Sequence, residues 1–381
     1  MKHYHYIFAG AGLSSLMTVY RMAVSGEFDD KKILLLDTAT KLTNDRTWCF
    51  WQGGSGKWDA IAYRQWNTAL FANADFAKNL DFGPYQYKMV RGIDFYNHVF
   101  KELAQHDNIE FIHQKVTDFA DMGQHVLVKT DVESYTCNKL FNSIYNAALP
   151  TPQTKYPVLQ QHFIGWHVKL ETPVFDPLTP VFMDFSIPQN GNTRFMYVLP
   201  LNNTEAIVEY TLFSKDLLPD TEYEDAIKDY LLAKGVTEYD IVDKERGSIP
   251  MTSYPFWKHN TPKIINIGSA GGWTKASTGY TFRNSDKLSA KLVNFLKTAD
   301  DFTKFHSKNK FWIYDLLLLD ILGEKNHVGS SIFSAMFKKG SAAPVFKFLD
   351  EETTVAEDLQ VIWRCPKGLF IKAALGRIGN L

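Results

Sequence analysis

Apolar and polar residues alternate along the chain with two periods. Residues 4–9 form a short apolar run ending in Tyr6-Ile7-Phe8-Ala9, and Leu13, Leu16, Met17, Tyr20 and Val24 then recur at the spacing that lines one helix face. Gly26 stands where it can end that helix, and residues 31–36 form a second apolar strand that stops at Asp37. From 58 to about 120 the pattern mixes helical stretches, clearest over 95–103, with short strands. Residues 110–113 and 125–128 read as strands that extend a sheet. Pro150, Pro152 and Pro157 mark a crossing. Beyond it, 162–170, 182–185, 195–199 and 206–211 alternate with period two, as in an antiparallel sheet with one face free for a ligand. Residues 223–232 look helical, 263–268 return as a buried strand, and 285–297 carry Leu288, Leu292, Phe295 and Leu296 at helical spacing.

The pattern predicts an α/β protein: a Rossmann-like dinucleotide-binding lobe from 1–150 and 245–300, an antiparallel-sheet substrate lobe from 151–244, and a helical C-terminal part over 301–381. In that last part Phe333, Met336 and Phe337 precede Lys338-Lys339, and residues 369–375 lie beside Lys367 and Lys372. Such amphipathic helices either cover their own core or dip into a membrane surface.

At 381 residues the chain can bury a large core, and its formal net charge of -1 gives no electrostatic case for nucleic acid. Cys49, Cys137 and Cys365 lie far apart without a CxxC pair, so neither a disulfide framework nor a metal site is expected, and a reducing cytoplasm fits. The first strand starts almost at once, which leaves no room for a signal peptide. The best apolar run, 316–319, is broken by Asp315 and Asp320, so any membrane contact is expected to be peripheral.

Gly10-Ala11-Gly12-Leu13-Ser14-Ser15 lies between a strand and a helix, the setting in which a glycine turn becomes informative. Gly10 permits the tight turn, Gly12 lets backbone approach a pyrophosphate, and the helix N-terminus meets its charge. Ser15 stands where a third glycine is usual and is small enough for close helix-to-strand packing. Asp37 follows Gly12 by 25 residues, near the ~20-residue offset of a carboxylate that binds a ribose 2′-hydroxyl. That acid disfavours a 2′-phosphate. A second cluster, Gly268-Ser269-Ala270-Gly271-Gly272 with Thr278-Gly279-Tyr280, follows the late strand and favours FAD over NAD, although Ser269 replaces the Asp often found there in flavin hydroxylases.

Aromatic residues reach 14% and concentrate in runs such as Thr47-Trp48-Cys49-Phe50-Trp51, which suit core packing, an apolar ligand pocket or a cation-binding cage. No GxSxG, HExxH or Cys–His signature is present. Glu209 lies inside an apolar strand, either as a paired structural acid or as a tuned catalytic one.

Several blocks occur in a fixed order: Ala9 through Ser14, Asp45-Arg46-Thr47-Trp48-Cys49-Phe50-Trp51, residues 87–95, Phe163-Ile164-Gly165-Trp166, Met183-Asp184-Phe185, Tyr197-Val198-Leu199-Pro200, Val208-Glu209-Tyr210-Thr211, Gly247-Ser248-Ile249-Pro250-Met251, and Gly271-Gly272 through Tyr280. In these blocks the sequence resembles lycopene cyclases of the bacterial, flavin-containing type, from the first strand to about Glu357. The resemblance implies non-redox cyclisation of the linear ends of lycopene to β-ionone rings, giving β-carotene through γ-carotene. It implies reduced FAD, with NAD(P)H as reductant, and contact with the cytoplasmic membrane surface. By the same resemblance Glu209 is the acid-base residue. Tyr210 departs from the family pattern by replacing a second acid. The cofactor would be held by Gly10, Gly12, Leu13, Ser14, Ser15, Asp37, Arg46, Gly268, Gly271, Gly279 and Tyr280, and Trp48, Phe50, Trp51, Tyr197 and Tyr210 would line the substrate pocket. A flavin monooxygenase or oxidoreductase acting on a large apolar substrate shares the same framework, and a non-enzymatic carotenoid or flavin carrier is a third reading.

Overall fold

Ile33-Leu34-Leu35-Leu36 is buried without polar interruption, as a strand inside a two-sided parallel sheet must be. In the computed structural model, which describes residues 1–379, this strand (Ile33–Asp37) lies between Ile109–His113 and Lys2–Ala9, and Ser134–Asn142 follows; all four run parallel. Ser134–Asn142 then pairs with Ile264–Asn266 along one half and with the antiparallel strand Val126–Thr130 along the other, and Val116–Asp121 completes the sheet. The chain leaves Lys2–Ala9 towards one neighbour and returns much later on its other side. The turn after Ala9 therefore sits at a switch point, where open α/β sheets bind ligands. Helix Leu13–Ser25 closes on Gly26, whose φ of 68° suits a glycine C-cap.

The second sheet has the order Asp240–Met251, Leu159–Lys169, Glu205–Ser214, Thr193–Pro200, Val181–Asp184, Thr68–Ala72, Ala77–Asp81. Its neighbours are antiparallel except Val181–Asp184 with Thr68–Ala72. Period-two alternation gives it two different faces. Ile164, Trp166, Met196, Val198, Val208, Tyr210 and Leu212 pack beneath helix Asp220–Ala233. The opposite face carries Phe195, Leu199 and Phe213 against helix Gly329–Lys338, where Phe185 and Phe333 stack 5.9 Å apart. A small third sheet holds Thr47–Gly53, Tyr85–Arg91 and Arg64–Trp66.

Two regions depart from the pattern-based expectation. The region after 58 is mostly strand before helix Gly92–Leu103, and Thr68–Ala72 and Ala77–Asp81 join the antiparallel sheet rather than the first lobe. Asp240–Met251 crosses the expected limit at 245 as one edge strand, and its mostly exposed residues, charged over 243–246, hide its period. Sheet membership depends on long-range pairing, which a local pattern does not carry.

The C-terminal part is helical: Lys310–Glu324, Gly329–Lys338, Ala343–Leu349, Val355–Ile362 and Lys367–Gly376. Asn380 and Leu381, the end of that expected part, lie outside the described residues. Phe333, Met336 and Phe337 are buried, so their helix covers the sheet, whereas Lys367–Gly376 buries none of its residues. Among the described residues no helix is long and apolar enough to cross a membrane.

Lys275, in the loop before Tyr280, ties this helical part to the sheets. Its Nζ donates to both Asp315 oxygens at 2.9 Å and to Glu351 Oε1 at 3.0 Å, with the lysine side chain only 4% exposed. Removing one member of a buried ion cluster leaves the rest uncompensated. We expect Lys275→Met to lower stability by about 3–5 kcal/mol in urea unfolding; a loss below about 1 kcal/mol would mark the cluster as no stronger than a surface pair.

Candidate active site

Strand register places three rows of side chains on the free face of the antiparallel sheet. One row reads Tyr197, Glu209, Gly165, Glu245. The next reads Phe195, Thr211, Phe163, Gly247, and the third has Phe213, Gln161 and Ile249. These rows line a cavity of about 430 Å3. Its remaining walls include Gly12 and Leu13, the segment from Asp45 to Cys49, Ser269, the segment from Thr278 to Phe282, and Phe333, Met336 and Phe337.

The row of Glu209 is unusual for its centre. A Cβ on Gly165 would come within 2.6 Å of Glu209 Cγ, so the glutamate side chain lies across the bare glycine, over the strand that separates it from Glu245. Glu209 is 8% exposed, and among the described residues it has no ion-pair partner. Burial, and next the charge of Glu245, raise its pKa well above the ordinary carboxyl range. Glu245 is half-buried; burial pushes its pKa up too, while the Thr47 backbone N–H at 3.4 Å and the Arg46 guanidinium oppose the shift.

Hydroxyl groups stand beside this pair. Tyr87 Oη lies 2.5 Å from Tyr197 Oη and 3.1 Å from Tyr280 Oη. Burial raises the pKa of all three phenols, so they stay neutral, and it lifts the Cys49 thiol to about 12. The arrangement is a carboxyl pair among aromatic walls whose phenols and thiol stay neutral.

The glycine turn meets the same cavity. Gly10 has a φ of 92°, and a side chain there would strike Ser143 Oγ. Gly12 is the N-cap of its helix, with open space where a Cβ would be, no side-chain cap and no acid in the first turn. The helix N-terminus therefore faces the cavity with its N–H groups uncompensated, a setting suited to an anion. Gly279, with a φ of 74°, sits against Gln161. Three buried polar atoms of cavity residues, Gln161 Oε1, Thr211 Oγ1 and Thr278 Oγ1, have no hydrogen-bond partner among the described residues. They suit a polar ligand lying between the turns and the sheet.

Of the residues singled out by sequence, Gly12, Leu13, Arg46, Trp48, Tyr197, Glu209, Gly279 and Tyr280 line this cavity. Gly10 shapes the turn, and Asp37 braces it: its carboxylate accepts from Ala11 N at 2.7 Å and Ala39 N at 2.9 Å and pairs with Lys41 at 3.3 Å. Several others point elsewhere. Ser14 bonds Ser285 at 2.7 Å, joining two helices, and Ser15 is fully buried. Gly268 and Gly271 serve close packing, against Ser14 and the Asn266 carbonyl, and Ser269 takes the cavity position. Phe50 and Trp51 are core residues rather than pocket walls. Phe50 stacks on Phe282 at 4.3 Å, while Trp51 donates to the Phe346 carbonyl and meets the Tyr280 ring edge-on. Tyr210 also leaves the pocket: the residue after Glu209 in a strand must face the other way, and its hydroxyl accepts from Arg194 Nη1 at 2.7 Å beneath the helix. Glu245 and Gln161 lie outside every block that the sequence singles out, and Gly165, Thr211 and Tyr87 lie inside such blocks without a site role expected of them. The two glycines at 165 and 247, inside strands, were the available signal.

The overall fold is shared with solved structures of flavoprotein type. A geranylgeranyl bacteriochlorophyll reductase-like protein from Thermoplasma acidophilum superposes with a TM-score of 0.63 at 11% identity, covering 100% of both chains. A p-nitrophenol 4-monooxygenase from Pseudomonas putida gives 0.58 at 12% identity, covering 95% of this chain and 98% of that one. The chain belongs to the lycopene cyclase family, whose model, described as lycopene cyclase protein, matches residues 6–374. Among curated relatives, a lycopene beta-cyclase from Pantoea ananas is 23% identical over 79% of this chain and 76% of its own. One from Pseudescherichia vulneris is 21% identical over 72% and 69%.

Neighbouring residues 209 and 210 give opposite expectations for stability. Because the folded-state pKa of Glu209 is raised, its favourable contribution holds below its unfolded value of about 4.3 and is lost as pH rises through the folded value. Glu209→Gln should match wild type near pH ~4 and exceed it by about 1 kcal/mol or more near pH ~8. Tyr210→Phe removes one of the two acceptors of the buried Arg194 Nη1, leaving Glu222 Oε1 at 3.0 Å, and should cost about 1–3 kcal/mol at both pH values. Denaturant unfolding at the two pH values checks this, and a Glu209→Gln variant that gains nothing at the higher pH contradicts it.

Proposed function

We propose that the protein cyclises the linear ends of lycopene to β-ionone rings, giving β-carotene through γ-carotene, with Glu209 as the acid. The observation that carries this reading is a buried carboxyl with a raised pKa and, among the described residues, no cation partner, set in an aromatic cavity of a lycopene cyclase family member. Alkenes are weak bases, so the donor must still hold its proton near neutral pH, which burial achieves. Glu209 gives its proton to C2 of the terminal C1=C2 bond. The C5=C6 pair then closes on the tertiary cation at C1, and loss of the C6 proton to the Glu209 carboxylate leaves the β ring. No electrons enter or leave the product.

Trp48, Phe163, Tyr197 and Tyr280 line the cavity and stabilise the passing cation through their ring faces, each by about 1–2 kcal/mol in a dry site. The apolar walls at Phe195, Leu199, Phe213, Phe333 and Phe337 suit a polyene and exclude water that would trap the cation. FAD fits the turn: Gly12 and Leu13 at the helix N-terminus, Arg46 and Lys41 beside them, and Ser269, Thr278 and Gly279 opposite would hold it. In its reduced form, with NAD(P)H as reductant, it would supply a fixed negative charge near the cation and transfer no electrons to product.

A reaction test separates this reading from an oxygenating one. With lycopene and reduced FAD, wild type should form rings without consuming oxygen, and Glu209→Gln should lose at least about 100-fold in rate while keeping flavin bound. Oxygenated or desaturated products would instead support a flavin monooxygenase or oxidoreductase. Bound flavin with no turnover would support a carrier.

Access to so apolar a substrate favours a peripheral membrane contact, through the C-terminal end. Trp363 is 70% exposed there, with Ile371, Leu375 and Ile378 exposed nearby in sequence and Lys367 and Lys372 beside them. Replacing Trp363 and Ile371 by Glu should reduce co-sedimentation with anionic vesicles several-fold, whereas unchanged sedimentation argues for another contact surface.

A further inference from the structure

Glu245 occupies a position that the acid role of Glu209 alone does not explain. It lies on an edge strand in the same row as Glu209, two strands away, so the two Cα atoms stand roughly 10 Å apart. Between them is Gly165, across which the Glu209 side chain lies. Its chain neighbours turn away: Lys244 pairs with Glu224 and covers Trp166, and Arg246 pairs with Asp220, all on the helix side of the sheet. Glu245 alone of this charged run lines the cavity. The family pattern's second acid at 210 is missing from this chain, and a residue at 210 faces the opposite side in any case.

We infer that Glu245 is the positioning partner of Glu209, the two carboxyls sharing one proton across Gly165 so that Glu209 carries it when substrate arrives. The inference rests on the cyclisation reading and names a residue for it. In the resting pair Glu209 is neutral and Glu245 is the carboxylate, receiving the Thr47 N–H and facing Arg46. The O–H bond of Glu209 breaks as C2–H forms, and the C1=C2 pair becomes that new bond. The C5=C6 pair makes C1–C6. The C6–H pair then becomes the ring double bond, and its proton returns to Glu209. The pair ends with the one proton it began with, and Glu245 keeps its negative charge throughout. That charge raises the cost of ionising Glu209 between turnovers.

Other groups face the pair. Tyr197, Tyr280 and Cys49 stand around Glu209, with Tyr87 behind the two phenols. Arg46 and Asp45 stand beside Glu245, and His167 and Asp243 oppose each other further along the same two strands. The phenols and the thiol stay neutral wherever a carboxyl titrates, so they do not imitate its pH dependence.

The test is the pH profile of cyclisation by FAD-loaded enzyme. Removing the Glu245 charge lets Glu209 ionise more easily. Glu245→Gln should therefore move the alkaline loss of activity to lower pH by about one unit or more, and Glu245→Asp should restore it partly, with flavin binding unchanged in both. An alkaline limb superimposable on wild type, or a Glu245→Gln enzyme inactive at every pH, overturns the inference. Should Glu245→Gln fail to fold, infrared difference spectra of the wild-type protein carry the same test. One protonated carboxyl near neutral pH, absent in Glu209→Gln, is expected; two or none is contrary. If wild type forms no rings from lycopene, the cyclisation reading fails on its own, and the infrared result still judges the shared proton.

Discussion

The proposed reaction depends on one constraint, a carboxyl group whose proton is held by burial in the cavity. A buried acid without a cation is costly in its charged form, so it stays neutral. The antiparallel sheet creates that condition by alternation. Glu209 faces the cavity, while Val208 and Tyr210 face the helix, so one strand serves both a cavity surface and a packed one. The neighbouring strand contributes a glycine where any side chain would displace the acid. This bare site is the local device that lets a carboxyl lie flat against the sheet.

The parallel sheet supplies a different property to the same cavity. Its first strand ends in a turn where Gly10 adopts a conformation that other residues rarely take, and the following helix presents uncompensated N–H groups. Helix Leu13–Ser25 is held to helix Phe282–Thr298 through the Ser14–Ser285 contact, and the loop between the late strand and that helix brings Ser269, Thr278 and Gly279 to the opposite wall. Lys275 anchors this loop to the C-terminal helices. The glycine turn and the acid-bearing face of the sheet thus meet in one cavity. That combination suits chemistry through a cation.

Local pattern made much of this legible. The first strand, turn and helix, the acid at 37 and the alternating strands of the second sheet all carry their periods in the sequence, because each buries one face or two. Register was not legible. Nothing local says that Glu245 lies in the row of Glu209, since the link is the pairing of both with Gly165 across Leu159–Lys169. The exposed, charged edge strand conceals its own period. Aromatic runs misled for a related reason: Phe50 and Trp51 share a strand with the cavity residues Trp48 and Cys49, but their partners Phe282 and Phe346 are distant in sequence and draw them into the core. Tyr210 could have been placed by alternation alone, once Glu209 was taken to face the ligand.

The central claim is that the reaction begins with a proton and involves no net transfer of electrons. Cyclisation of lycopene in heavy water, with product mass and deuterium position measured, tests it most directly. Glu209 exchanges its proton with solvent, so each ring formed should carry one deuterium at C2, in a product otherwise isomeric with lycopene. A product without deuterium at C2, or one that has gained or lost hydrogen or gained oxygen, would contradict it.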